Sequence, residues 1–273
     1  MFAKLLKYDL KANLKLFCLL GGCALGVGCL SAVVLRLLTA NWEKIIAKDG
    51  LMLVMIPAIF FLLFAYLGII LYGASTQYVL LYRFYKSRFT DEGYLMFTLP
   101  VKTHHIFLSG ALNNTIWTLI TAVVILLSLL IAVCLGPVWS EEVLEEIRWV
   151  FEDMSFVFGD SMSGGYSISI VFYVLVLGLY SIIAPMSAVV LGATAAKKHK
   201  VLAIIGILIA LSVCMSTING VISGAVQLVA FTTDNAETLV AVTPLLNSIV
   251  PLGMAIGGYF LSIHIMKNKL NLP

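Results

Sequence analysis

The run Val201–Thr233, VLAIIGILIALSVCMSTINGVISGAVQLVAFTT, holds 33 residues without a charge. As one helix it would reach about 50 Å at 1.5 Å per residue, whereas the hydrocarbon layer of a bilayer is about 30 Å thick. Its length and lack of charge place it inside a membrane, and the surplus length predicts a break. Asn219-Gly220, Ser223-Gly224 and Gln227 offer one, because glycine loosens a helix and non-helical backbone at membrane depth is tolerated where protein or a cavity covers it. The expectation is a span from Val201 to Asn219 followed by short helices dipping back into the outer leaflet, a re-entrant external segment over 220–243.

The rest of the chain agrees with the membrane reading. It is 61% apolar and 11% charged, with a mean hydropathy of +1.05, against about 25% charged residues in an ordinary soluble domain. Uncharged stretches of about 20 residues or more recur at 16–35, 51–82, 106–135, 166–196, 201–233 and 244–266. A lipid-exposed backbone must satisfy its own hydrogen bonds, and the period-two alternation of barrel strands is absent. The fold class is therefore an all-α integral membrane protein, residues 1–273 forming a single transmembrane domain of six helices. Pro57, Pro185, Pro244 and Pro251 are expected to mark kinks or ends. The pairs Gly22/Gly26, Gly220/Gly224 and Gly253/Gly257 have the spacing that allows close helix contact. The five cysteines show no metal spacing and read as small apolar residues of the spans.

Charge orients the chain. Six crossings put both termini on one side with the loops at 82–105 and 197–200. That side holds Lys4, Lys7, Lys11, Lys15, Arg83, Lys86, Arg88, Lys102, Lys197, Lys198, Lys200, Lys267 and Lys269 out of 17 cations. An excess of Lys and Arg marks cytoplasmic loops, so a multi-pass protein of the cell membrane with both termini in the cytoplasm is expected. The net charge of +3 describes a face beside lipid and gives no sign of nucleic-acid binding.

Two amphipathic segments flank the spans. In MFAKLLKYDLKANLKLF (1–17), Lys4, Lys7, Lys11 and Lys15 fall on a narrow arc opposite Phe2, Leu5, Leu6, Leu16 and Phe17, the pattern of an interfacial elbow helix over 1–15 in contact with membrane lipid. In the loop at 136–165, WSEEVLEEIRWVFEDMSFVF (139–158) repeats Trp139, Val143, Ile147, Phe151, Met154 and Phe158 at helical spacing. Acidic residues take the other positions, which predicts an external acidic helix whose polar face is solvated or attracts a cationic cargo.

The segment YRFYKSRFTDEGYLMFTLP (82–100) interrupts two apolar runs with cations, adjacent carboxylates and aromatics. Thr90 fits an N-cap, Asp91 and Glu92 suit the positive end of a helix, and Pro100 ends it. About two turns remain, too short to be stable alone in water. Tyr94, Leu95, Met96 and Phe97 resemble interface anchors, to be covered by a partner, by lipid headgroups or by neighbouring helix ends.

KLLKYDLK (4–11), the six spans and RFYKSRFTDEGYLMFTLPV (83–101) together resemble permease subunits of type-2 ATP-binding-cassette (ABC) transporters of Gram-positive bacteria. The resemblance covers the whole chain in topology and about 30 residues in wording. It implies that Asp91, Glu92, Gly93, Tyr94, Leu95, Met96 and Phe97 form a coupling helix docked on a separate ABC ATPase subunit. It also implies an exporter working as a homodimer or beside a related permease chain. The acidic helix at 139–158 departs from a minimal permease. No GxxxxGK[ST] loop occurs, so ATP chemistry would have to come from a separate subunit; with the resemblance, the expectation is a non-catalytic chain that binds no cofactor, with ATP and Mg on the partner.

Two other readings compete. An ion-coupled secondary transporter places ionisable groups near mid-membrane, and none of the six apolar runs has Asp, Glu, Lys, Arg or His there, His264 lying near the inner end of the last. A pore-forming subunit would need no ATPase. The buried polar candidates for a pathway are Asn113, Asn114, Asn219, Gln227 and Asn247, each also suited to a helix-packing hydrogen bond. Few fixed polar ligands favour an amphipathic or hydrophobic cargo such as a peptide, lipid or drug.

Overall fold

The computed structural model describes residues 2–40, 51–90, 93, 102–136, 145, 148–149, 164–196, 198–232 and 236–268. Six long helices follow one another: α1 (Phe2–Ala40), α2 (Leu51–Phe89), α3 (Thr103–Leu135), α4 (Gly164–Ala195), α5 (Lys200–Thr232) and α6 (Ala236–Asn268). Among the described residues there is no strand. Each helix contains a stretch long and apolar enough to cross a membrane, the mark of a multi-pass membrane protein.

Two sequence expectations about helix ends are corrected. The chain does not break near Asn219: Lys200–Thr232 is one helix, and residues 236–243 already belong to α6, so no short re-entrant helices occupy the described part of 220–243. Glycine lowers helix propensity by about 1 kcal/mol, less than the several kcal/mol for each backbone group left unbonded in lipid. The elbow expected at 1–15 is likewise not set off from the span, because Phe2–Ala40 runs unbroken. Lys, Leu and Ala dominate its first half, and no glycine or proline precedes Gly21. The four lysines do form an exposed arc. The helices also run through Pro57, Pro185, Pro244 and Pro251 rather than ending there. Of the external segment 136–165, most lies outside the described residues; Glu145, Arg148 and Trp149 are helical and exposed.

The chain divides into two compact units, residues 1–82 with 112–144 and residues 83–111 with 145–273. In the first, α1 presents a buried seam of Asn13, Phe17, Gly21, Ala24, Gly28, Ser31 and Ala32. The three-and-four spacing keeps these residues on one face, and their small size lets backbones approach. A Cβ on Gly28 would stand 2.8 Å from the Ser128 carbonyl oxygen of α3. Among the described residues nothing lies within 4 Å of a Cβ built on Gly22, Gly26, Gly220, Gly224, Gly253 or Gly257, so the close contacts within this chain fall elsewhere than at the spacing motifs. Phe17 meets Trp117 with ring centroids 4.7 Å apart, and Leu80 of α2 completes that cluster. Gln77 Nε2 donates to Thr118 Oγ1 at 2.7 Å, binding α2 to α3.

In the second unit α4 is the central helix: 44% of its most apolar window is buried, against 6% for α5. It packs most extensively on α6 and also on α5. Gly192 of α4 sits against the backbone of Ile204 of α5, where a Cβ would lie 2.7 Å from Ile204 Cα. The Tyr180 hydroxyl donates to the Leu211 carbonyl at 3.5 Å.

Candidate functional site

The polar segment after α2 is held at its base by a cluster built from α2, α3 and α6. Arg88, read from sequence as one more inner-face cation, is only 2% exposed. Burying a guanidinium costs several kcal/mol unless its hydrogens are satisfied. Here Nη1 donates to Ser87 Oγ at 2.9 Å and Nη2 to Ser109 Oγ at 3.2 Å. The guanidinium carbon lies 4.7 Å from the Phe84 ring centroid, inside the range in which a ring face attracts a cation.

Phe84 is in turn fixed edge-on. Its centroid lies 6.1 Å from Phe107 at 89° and 6.1 Å from Phe89 at 61°. Phe107 meets Tyr259 of α6 at 5.6 Å and 76°, and His104 Nδ1 lies 3.4 Å from the Tyr259 hydroxyl. Gly110 lets α3 approach this cluster, since a Cβ there would come within 2.8 Å of the Phe84 ring. The last turn of α2 and the first turns of α3 are thus clamped to each other and to α6. The sequence signal was the aromatic density of YRFYKSRF, but nothing in the string said that Arg88 turns inward.

Of the expected docking residues only Gly93 is described; Asp91, Glu92, Tyr94, Leu95, Met96 and Phe97 lie outside the described residues. Gly93 is buried and helical, and its N–H donates to the Thr90 carbonyl at 2.8 Å. A Cβ on it would collide with the Arg88 carbonyl, so the chain folds back closely over the end of α2. The Thr90 hydroxyl donates to the Lys86 carbonyl at 2.5 Å, closing α2.

The five pathway candidates separate into distinct environments. Asn113 and Asn114 are buried on α3; Asn113 Oδ1 accepts from Asn13 Nδ2 of α1 at 3.3 Å, while Asn114 Oδ1 has no hydrogen-bond partner among the described residues. Asn219 Nδ2 reaches only Met215 Sδ of its own helix, at 3.8 Å. Gln227 and Asn247 come together with Ile170, Tyr173, Thr243 and Pro244 around a cleft of about 340 Å³ between α4, α5 and α6. Asn247 Nδ2 donates to Ser223 Oγ at 2.9 Å, and its Oδ1 is buried with no hydrogen-bond partner among the described residues. Pro251 has no N–H for the Asn247 carbonyl four residues before it, which adds a second acceptor at this level.

Comparison with protein-family models, curated proteins and solved structures returned no match.

The arrangement offers two elements a transport protein needs: a rigid seat under a polar loop, and an apolar-walled cleft with a few amide groups. Among the described residues no group of three His, Cys, Asp or Glu side chains is placed to hold a metal ion.

Proposed function

We propose that the chain is the membrane-spanning permease subunit of an ATP-driven ABC exporter, forming half of the translocation pathway beside a second permease subunit. Both termini face the cytoplasm. The chain is not catalytic; ATP and Mg bind a separate ABC ATPase subunit, which docks on residues 91–97. The observation that carries this reading is the Arg88–Phe84–Phe107–Tyr259 clamp. A load applied to a loop moves the spans only if the base of the loop is stiff, and a packed core switches between discrete arrangements rather than deforming smoothly. The clamp joins the helix ends on either side of that loop, the last turn of α2 and the first turns of α3, to each other and to α6.

The cleft around Gln227 and Asn247 supports an amphipathic or hydrophobic cargo, because its polar groups are few and its walls include Ile170, Val226 and Pro244. The test is Tyr94→Ala combined with Phe97→Ala in the complete transporter. Cargo-stimulated ATP turnover should be lost while membrane insertion is kept; unchanged stimulation overturns the docking assignment.

A further inference from the structure

A second cleft, of about 470 Å³, lies where α5 begins, lined by Tyr85, Lys198, His199, Lys200, Val201, Leu202 and Ile205. Its polar wall is cationic, and no carboxylate lines it among the described residues. Tyr85 is held in place by stacking on Phe89, with centroids 6.4 Å apart at 13°. The first turn of α5 adds to the positive character. Ala203 N–H is bonded to the His199 carbonyl at 3.1 Å, while the N–H groups before it precede the intrahelical ladder and lie at the positive pole of the helix.

The opposite wall is apolar and continues along the helix. Leu202, Ile205, Ile209 and Val213 follow at intervals of three and four residues, so they share one face of α5, and each is 51–73% exposed. The cleft therefore opens from a cationic head onto an apolar face of α5 that continues past it to Val213, three turns beyond Leu202. A free anion would use only the head. An acidic loop of a cytosolic protein would leave the track uncovered.

We propose that this cleft binds an acidic phospholipid, its phosphodiester headgroup against Lys198, His199 and Lys200 and an acyl chain along Leu202, Ile205, Ile209 and Val213. The site is independent of the exporter reading; it requires only that α5 spans the membrane. Each cation near an anionic membrane surface contributes about fivefold to binding, so the two lysines together contribute roughly 30-fold.

Native mass spectrometry of the purified full chain, carried in mixed phosphatidylglycerol and phosphatidylcholine, measures which lipid stays bound. The expected result is retention of phosphatidylglycerol over phosphatidylcholine, reduced about 30-fold in Lys198→Gln/Lys200→Gln and kept in Lys198→Arg/Lys200→Arg. Leu202→Ser/Ile205→Ser should weaken phosphatidylglycerol retention as well. Equal retention of the two lipids overturns the proposal, as does equal loss in Lys4→Gln/Lys7→Gln, which would make the effect one of net charge. Displacement of the lipid by inorganic phosphate at matched concentration would assign the head to a free anion, and displacement by an acidic peptide would assign it to a protein partner; either result overturns the lipid assignment.

Discussion

Gly28 gives the sharpest test of how the first unit is held together. An alanine Cβ there would lie 2.8 Å from Ser128 O and 2.9 Å from Ser128 Cα, both backbone atoms, where ordinary contact begins at 3.4 Å. Neither atom can rotate away, so α1 and α3 must part by about half an ångström, a gap that forfeits roughly a quarter of the dispersion well for the pairs it opens. Overpacking of this kind costs about 1–3 kcal/mol. Gly26, half a turn away on the same helix, has nothing within 4 Å of the same atom. Replacing either glycine by alanine gains the same helix propensity, about 1 kcal/mol, so the difference between the two variants isolates the steric cost. SDS-driven unfolding followed by tryptophan fluorescence should place Gly28→Ala about 1–3 kcal/mol below Gly26→Ala. Two variants that unfold alike would refute the close α1–α3 approach.

Further outcomes follow from the other contacts. A double-mutant cycle of Asn13→Leu and Asn113→Leu should show a coupling of about 0.6 kcal/mol, the average for a hydrogen bond between membrane helices; additive unfolding energies would deny the bond. Arg88→Lys loses the planar fork whose two Nη atoms reach Ser87 and Ser109 separately and should lose about 1.5–3 kcal/mol of charge-assisted hydrogen bonding, seen as faster proteolysis within 90–102; wild-type protease resistance would contradict the clamp. Gln227→Leu with Asn247→Leu should cut transport of a labelled amphipathic peptide by about 5-fold to 150-fold, from two hydrogen bonds of about 0.5–1.5 kcal/mol each. Unchanged transport would remove the cleft from the pathway.

The six spans were legible because hydropathy is a bulk property: 51–82 and 106–135, read from charge alone, sit inside α2 and α3. Helix continuity was not. The glycines at 220 and 224 read as a break, yet a helix in lipid keeps its backbone bonds, and composition does not show how strongly the membrane enforces this. Packing faces were half legible. The motif pairs Gly22/Gly26 and Gly253/Gly257 make no close contact among the described residues of this chain, while the seam through Gly21 and Gly28 follows the three-and-four spacing that begins at Asn13. Arg88 was hidden by its context, since positive-inside counting treats every cation at a span end alike and cannot separate a solvated lysine from a guanidinium sealed under Phe84. Gln227 and Asn247 were named separately from sequence; that they line one cleft depends on how α5 lies against α6.

The central claim is that this protein transmits force from a motor it does not encode. Affinity purification of the tagged full chain from its native host, without crosslinker and at low salt, asks directly whether a nucleotide-binding subunit accompanies it. The expected result is stoichiometric recovery of an ATPase carrying a phosphate-binding loop, lost when Tyr94 and Phe97 are both replaced by alanine. Recovery of the chain with no ATPase, or with one equally retained by that double variant, would contradict it.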